Sequence, residues 1–381
     1  MSSELNLTAK DWQEQLYCHI MTVAVLKVEH LGEPRVREVA SGVDALYLSG
    51  RAALPPSLVE RLENARTEAV ALDARPPFQF GALKMLMAPH AFGKYHYSLS
   101  HPYGRIGITP SPNLPTFRIQ PRAEFLHGVG PRAVAQGFRD LIEDECGFVK
   151  LQVSRIDLFA DFQGWELSGD DRSAFVCRAS GLGTFEDNGT LTGLQFGKRT
   201  SGTVDARLYN KTIEILSSGA KYWKDIWGDR YDPSRDVLRV EFEVLRSALR
   251  EFGLDDPDDV LDATGALWAY LTTWLSYRVP TGDHTRSRWP VAPEWEDVRH
   301  AQIGEGAFGI ERTYRGKQRG ELGKMMPALV GYLARFGALS DSRSDTEMLE
   351  VLEVFLKRYG KETHVSMDHR IWQKRRSLEL L

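Results

Sequence analysis

A chain of 381 residues, 42% of them hydrophobic and 10% aromatic, can bury one sizeable core or two modest ones. Its 48 basic residues are outnumbered by 52 acidic ones, and the net charge of −4 excludes a polyanion partner held by bulk charge. Such a partner would have to be met by local basic surface.

Three widely spaced cysteines, Cys18, Cys146 and Cys177, give no disulfide framework and no C-x-x-C pair, so each reads as a small buried hydrophobe in a reducing compartment. The polar, mixed-charge opening from Met1 to Gln15 does not read as a secretory signal. The most apolar helical run, Ala266–Leu275, is too short to cross a bilayer. A soluble, cytoplasmic protein with no membrane partner is expected.

Residues 1–42 read as an N-terminal leader with some apolar content. A strand is predicted over Val43–Ser49, where Val43, Ala45 and Tyr47 alternate with Asp44, Leu46 and Leu48. Pro55-Pro56 then opens a helix with Leu58, Val59 and Leu62 at helical spacing. From Phe78 to Ile119, Gly, Pro, Tyr and Phe recur in a pattern of strands and hairpins, broken at Pro110–Pro115. A helix over Gly130–Asp144 carries one apolar stripe of Val134, Phe138, Leu141 and Ile142.

Three strand-like segments follow, Val153–Phe162, Val204–Ile215 and Val237–Leu245. The last leads into a helical region reaching about Tyr277, in which the acidic run Asp255–Asp259 suits a helix N-terminus. Arg286 to Trp295 reads as an extended, proline-broken connector, and 321–360 as amphipathic helix. The expected fold is α+β, with a mostly antiparallel central sheet, helices on one face and a helical C-terminal extension. No internal repeat is visible.

Alternate side chains of a strand point to opposite faces of its sheet. In the first segment Ile156, Leu158, Ala160 and Phe162 are apolar, while Arg155, Asp157, Phe159 and Asp161 oppose them. In the second, Val204, Ala206 and Leu208 face one way and Arg207, Tyr209 and Lys211 the other. In the third, Leu238, Val240, Phe242 and Val244 are set against Arg239, Glu241 and Glu243. If the three share a sheet, one face pools four carboxylates, three arginines, a lysine and a tyrosine. Hard oxygen ligands of this kind suit Mg2+ or Mn2+ acting as a Lewis acid on a phosphate, with Tyr209 as nucleophile and Arg207 and Lys211 on phosphate oxygens. The same pattern also describes a solvated face of paired charges. Alternation alone leaves the two readings open.

The segment from Leu194 through Gly197-Lys-Arg-Thr-Ser to Arg207-Leu-Tyr-Asn-Lys-Thr-Ile-Glu214 resembles the "fGsrkS…lRlYnK…E" signature of the Rep_trans replication initiation factors of plasmids and integrative elements. Ser154-Arg-Ile-Asp-Leu-Phe-Ala-Asp161 resembles the family's "sRiDla.D" strand, and Leu238 to Arg246 its "lRvEfelr" strand. The three stand in the family's order, and the likeness extends weakly from about Val43 to Trp295.

The resemblance implies a rolling-circle initiator. Such an enzyme nicks one DNA strand at an origin through a 5′-phosphotyrosyl link and later rejoins the ends. By position it makes Tyr209 the nucleophile and Asp157, Asp161, Glu241 and, more weakly, Glu243 the metal ligands. Arg207 and Lys211 become phosphate contacts, and Glu214 a further acid or a salt-bridge partner. It also implies a nicking domain over 43–250, a role in DNA binding or dimerisation for 251–381, and DNA, a host helicase and a second copy of the chain as partners. A regulator of the same fold without nicking, and a metal-dependent phosphodiesterase without a covalent intermediate, are the rival readings.

No His-hydrophobic-His pair is present, and His90, His96 and His101 read as surface or core residues more readily than as ligands. Tyr222 and Tyr231 lack strand alternation and read as packing residues. Gly193 to Lys198 fails the phosphate-loop pattern, so ATP is not expected. Further DNA contacts are placed on Arg155 and Arg239, and on the basic, aromatic stretch carrying Arg286, Arg288, Arg315 and Lys317. The alternative for that stretch is a solvated face with its tryptophans in the core. The tail Arg370–Arg376 is a second basic patch or a frayed terminus.

Overall fold

The computed structural model describes residues 36–179, 181–187, 189–197, 203–304, 329–363 and 365–377. The chain forms two compact units, Met1–Glu311 and Arg312–Leu381.

In the first unit eleven strands form one antiparallel sheet. Strand β1 (Arg37–Arg51) begins well before the predicted Val43, inside the segment read as a leader, and lies at the centre of the sheet. On one side it pairs with β6 (Phe117–Pro121), followed outward by β5 (Gly104–Ile108), β4 (Tyr97–His101), β3 (Leu83–Met87) and β2 (Pro77–Phe80). On the other it pairs with β7 (Lys150–Gln163), followed by β12 (Leu238–Leu245), β11 (Val204–Asn210), β10 (Thr190–Phe196) and β9 (Leu182–Asp187). Strands β8 (Phe175–Cys177) and β13 (Leu275–Tyr277) form a separate pair. The predicted α+β class holds, and the three chemical strands are neighbours in the order β7, β12, β11.

One sheet face is apolar from β3 to β10, through Met85, Leu99, Ile106, Ile119, Leu48, Leu158, Val240, Leu208 and Leu194. Helix α1 (Pro56–Leu72) adds Leu58 and Leu62 to this core, and α3 (Pro131–Cys146) adds the predicted stripe of Val134, Phe138, Leu141 and Ile142. The short α2 (Ala123–Val129) precedes α3. Each fully buried Leu or Phe contributes roughly 1.5–3 kcal/mol, so the shared apolar layer dominates the fold.

The helices beyond residue 245 enter the same core. They are α6 (Arg246–Glu251), α7 (Pro257–Asp262), α8 (Thr264–Trp274) and α9 (Pro293–Arg299), which bury Leu249, Val260, Leu267, Trp268, Leu271 and Trp295. Asp256 caps α7 by accepting from Asp258 N, so the acidic run does serve a helix N-terminus. The region ends in β13 rather than in helix, and the last three residues of the predicted extended connector begin α9, with Pro293 at its first position.

In the second unit residues 329–339 are helical, followed by α10 (Asp345–Glu362) and α11 (Met367–Ser377). The predicted continuous helix is interrupted where Asp341 takes a left-handed φ of 55° and Ser344 caps α10 through Glu347 N at 3.1 Å. Phe336 and Phe355 meet edge to face across this break. No helix among the described residues is long and apolar enough to cross a membrane.

Candidate active site

The second face of β7, β12 and β11 is a lattice of charge. Register places Asp157, Glu243 and Asp205 in one row, Phe159, Glu241 and Arg207 in the next, and Asp161, Arg239 and Tyr209 in the third. Directly opposed side chains of adjacent strands lie within reach of one another; here Arg207 meets Glu241 and Arg239 meets Asp161, while the first row is all acid.

Tyr209 is held from three sides. Its Oη donates to Glu241 Oε2 at 2.8 Å, while Arg207 Nη2 donates to Glu241 Oε1 at 2.5 Å. Gly193 pairs with Tyr209 across β10, and a Cβ there would lie 2.9 Å from Tyr209 Cβ and from Leu208 O. Only a residue without a side chain lets the strand pass so close. Burial, then the Glu241 carboxylate, push the phenol well above its ordinary range, so it rests protonated.

Lys211 is not on the strand. Asn210 ends β11 by accepting from Ile213 N at 3.0 Å, and Lys211 opens helix α4 (Lys211–Ser218). The lysine still lies beside the tyrosine, its Nζ 5.8 Å from the Tyr209 ring centroid and 4.9 Å from that of Trp223, and it pairs with Glu214 at 2.5 Å. Burial, then the charge of Arg239, lower its pKa.

Arg239 occupies the centre and is fully buried. Its Nε and Nη2 donate to the two oxygens of Asp161 at 2.7 and 2.8 Å, and Nη1 lies 3.3 Å from Asp44 Oδ1. Its guanidinium stacks between Phe159 and Trp223, 4.2 and 3.9 Å from the ring centroids. Trp227 Nε1 completes the set with a 2.8 Å bond to Asp161. The two tryptophans come from α5 (Trp223–Trp227), which with Ile215 and Val237 builds a small apolar cap over this end of the face. Tyr222 and Tyr231 lie tilted against these tryptophans, as packing residues do.

At the other end Arg155 grips Asp157 through two nitrogens and reaches Glu243 at 2.8 Å. Arg207 lies 3.9 Å from Asp157. Burial, then the neighbouring charges of Glu241 and Glu243, push the Asp157 carboxyl up to about 7 despite the bond from Arg155. Asp44 goes the other way. Burial would raise it, but Arg239, the His127 contact at 3.4 Å and Lys211 hold it well below the usual range.

These carboxylates do not fit a metal ion as arranged. Asp161 is sealed between Arg239 and Trp227, Asp157 and Glu243 are held by Arg155, and Glu241 is shared by Arg207 and Tyr209. Hard cations need several convergent free oxygens, and among the described residues no three His, Cys, Asp or Glu side chains are grouped to supply them.

Of the sequence-predicted residues, the structure brings together Arg155, Asp157, Asp161, Arg207, Tyr209, Lys211, Arg239, Glu241 and Glu243. Arg155 and Arg239, expected to contact DNA, are instead spent on carboxylates. Arg286 lies elsewhere, bound to the carbonyl of Phe175 at 2.7 Å, and the exposed Arg288 is 3.9 Å from Asp283. Arg315 and Lys317 fall outside the described residues. His96 bonds Thr109, and His101 packs against Tyr103.

Four participants escaped the sequence reading. Asp44 sits at a register shift between Val43 and Ala45, which turns it away from the face that simple alternation assigns it. His127, Trp223 and Trp227 reach the site from helices, where no strand pattern marks them.

No family model matches the chain, and no curated protein matches it. Among solved structures it is similar to the rolling circle replication initiator protein from Geobacillus stearothermophilus, at 15% identity and a TM-score of 0.41, over 73% of this chain and 99% of that one. At that distance no residue role passes from one chain to the other.

Proposed function

We propose that the protein is a rolling-circle-type replication initiator that nicks one DNA strand at an origin with Tyr209 and later rejoins it. The observation that carries this reading is the bond from the Tyr209 hydroxyl to Glu241, with Arg207 on the second carboxylate oxygen. A protonated phenol is a poor nucleophile and needs a base within hydrogen-bond reach, which Glu241 provides.

As Tyr209 Oη bonds to phosphorus, the bond from phosphorus to the 3′-oxygen breaks, the phenol proton passes to Glu241, and the 3′-oxygen takes a proton from water. Glu241 loses its charge in that step, which releases the Arg207 guanidinium to the phosphoryl oxygens as negative charge builds there. Lys211 adds a second cation beside the ring. Rejoining is the reverse, with the 3′-hydroxyl attacking the phosphotyrosine.

One observation favours a second reading. The carboxylates and arginines of the lattice satisfy one another so fully that a DNA-binding protein of the same fold without nicking is also supported.

A supercoiled plasmid carrying the DNA that surrounds the protein's own coding sequence separates the two. Nicked circles with protein joined to the 5′ end are expected, and neither product with Tyr209→Phe. Nicking that persists in the variant removes Tyr209 from its role. Retention on the plasmid with no nicking by the wild type, over a range of pH and added Mg2+ or Mn2+, establishes the second reading.

A further inference from the structure

The polar face of the sheet continues past the tyrosine, across β1, β6, β5 and β4, and there its electrostatics invert. Two clefts, of about 370 and 660 Å³, meet at Tyr47. Arg75, Arg105 and Arg122 line the first, and Arg51, Arg118, Arg155 and Arg246 the second, yet no Asp or Glu lines either. Arg155 and Arg246 have carboxylate partners, whereas the other five form no ion pair among the described residues. In a chain of net charge −4, where acids outnumber bases, this segregation of guanidinium groups is not what a randomly mixed surface gives.

The cluster is also built. Residues Phe92 and Tyr95 bridge to each other and close over Gly107, where a Cβ would lie 2.9 Å from Phe92 and 3.0 Å from Tyr95. Phe92 is thereby set as a shared platform, with Arg105 at 4.0 Å and Arg118 at 4.7 Å from its ring centroid. Arg105 is further fixed by the buried Ser98 at 2.9 Å. Two like charges held over one ring, without a carboxylate, repel each other, and burial together with Arg75 and Arg118 depresses the Arg105 pKa. An anion between them relieves that repulsion, and a planar guanidinium binds phosphate oxygens two at a time.

We infer that the β4–β5–β6–β1 part of the open face is the track for the sugar–phosphate backbone of the DNA strand, with Arg51, Arg75, Arg105 and Arg118 as phosphate contacts and Tyr47 as a surface for a base. This rests on the proposed DNA function and adds where the strand lies. The arginines around Tyr209 are neutralised, so the free positive field is on the other half of the sheet. Tyr47, at their junction, stacks under Arg155, which also holds Asp157. The track thus runs continuously into the candidate active site.

The test is binding of a short fluorescent single strand and of the matching duplex by the full chain, from low to moderate salt. Each lost phosphate contact lowers the slope of log K against log salt by about 0.7 for single strands and about 0.9 for duplex. Arg105→Gln/Arg118→Gln and, separately, the surface pair Arg51→Gln/Arg75→Gln are each expected to lower the slope by about 1.4 on single strands. Affinity at low salt should fall at least tenfold, with the melting temperature of the surface pair unchanged. Arg105→Lys/Arg118→Lys, which keeps both charges, should restore the slope.

Wild-type slope and affinity in both glutamine pairs overturn the inference. If nicking still depends on Tyr209, that result leaves the proposed function standing. Lost slope in the glutamine pairs with nicking that survives Tyr209→Phe supports the track and overturns the nucleophile. No binding by the wild type overturns both.

Discussion

Glu241 serves two groups with one carboxylate, accepting from the Tyr209 phenol and from the Arg207 guanidinium. Glu241→Gln keeps the shape and removes the base, so single-turnover nicking should fall by roughly 10²–10⁴-fold, the usual worth of a positioned general base. Strand binding should change little. Equal loss of binding and nicking would make Glu241 a structural residue. Asp157 gives a separate prediction in pH. Its folded pKa of about 7 lies above the unfolded value of about 3.9. The folded protein therefore binds the extra proton between those limits, a stabilisation complete below about pH 4 and lost as pH rises through 7. Asp157→Asn mimics the protonated form, so its melting temperature relative to wild type should climb by several degrees from pH 4 to pH 8. A constant difference would mean that Asp157 is ionised throughout. At this scale the sequence was informative wherever a side chain lay on a regular strand. It was silent on Asp44, displaced by a register shift, and on His127 and Trp223, because packing from helices onto a sheet leaves no period in the chain.

Where β11 stops decides what Tyr209 can do. Had the strand run on to Ile215, as alternation of apolar residues suggested, Lys211 would sit on the open face as a free cation. The Asn210 cap instead turns the chain into α4, and Lys211 comes over the Tyr209 ring from the side, paired with Glu214. Asn210 is a recognisable cap only in retrospect, since Thr, Ile and Glu after it suit either element. The neighbouring strand supplies the second element-level prediction. Gly193→Ala places a methyl group against Tyr209 Cβ and the Leu208 carbonyl, which should cost about 1–3 kcal/mol as overpacking. It should also reduce phosphotyrosine formation more than it reduces strand binding. Unfolding midpoint and adduct yield measured on one preparation would check both, and an unaltered midpoint would show that β10 can withdraw freely.

Over the whole first unit, apolar residues from Val36 to Ile303 form one continuous core. Helices after residue 245, read from sequence as the start of a separate region, bury their tryptophans and leucines under the same sheet. Leu62→Ala in α1 and Leu271→Ala in α8, far apart in the chain, should therefore lower the midpoint of one shared unfolding transition, each by about 2–5 kcal/mol. Two transitions, each sensitive to one substitution, would divide the unit in two. Composition and periodicity foretold the class and most elements, because these depend on neighbours in sequence. They were blind to which strand lies beside which. Outward from the central antiparallel pair, one side runs β1, β6, β5, β4 and the other β7, β12, β11, β10, so each half opens with its long strand and returns to it with its last. The strand order thus follows the same scheme on both sides of the β1–β7 seam, although no repeat is visible in the sequence. The tyrosine on β11 and Arg105 on β5 occupy topologically matched positions. A frame whose two halves share a strand order but differ in what they carry has a built-in polarity, and any directional polymer lying across it would have to choose which of its ends faces the tyrosine.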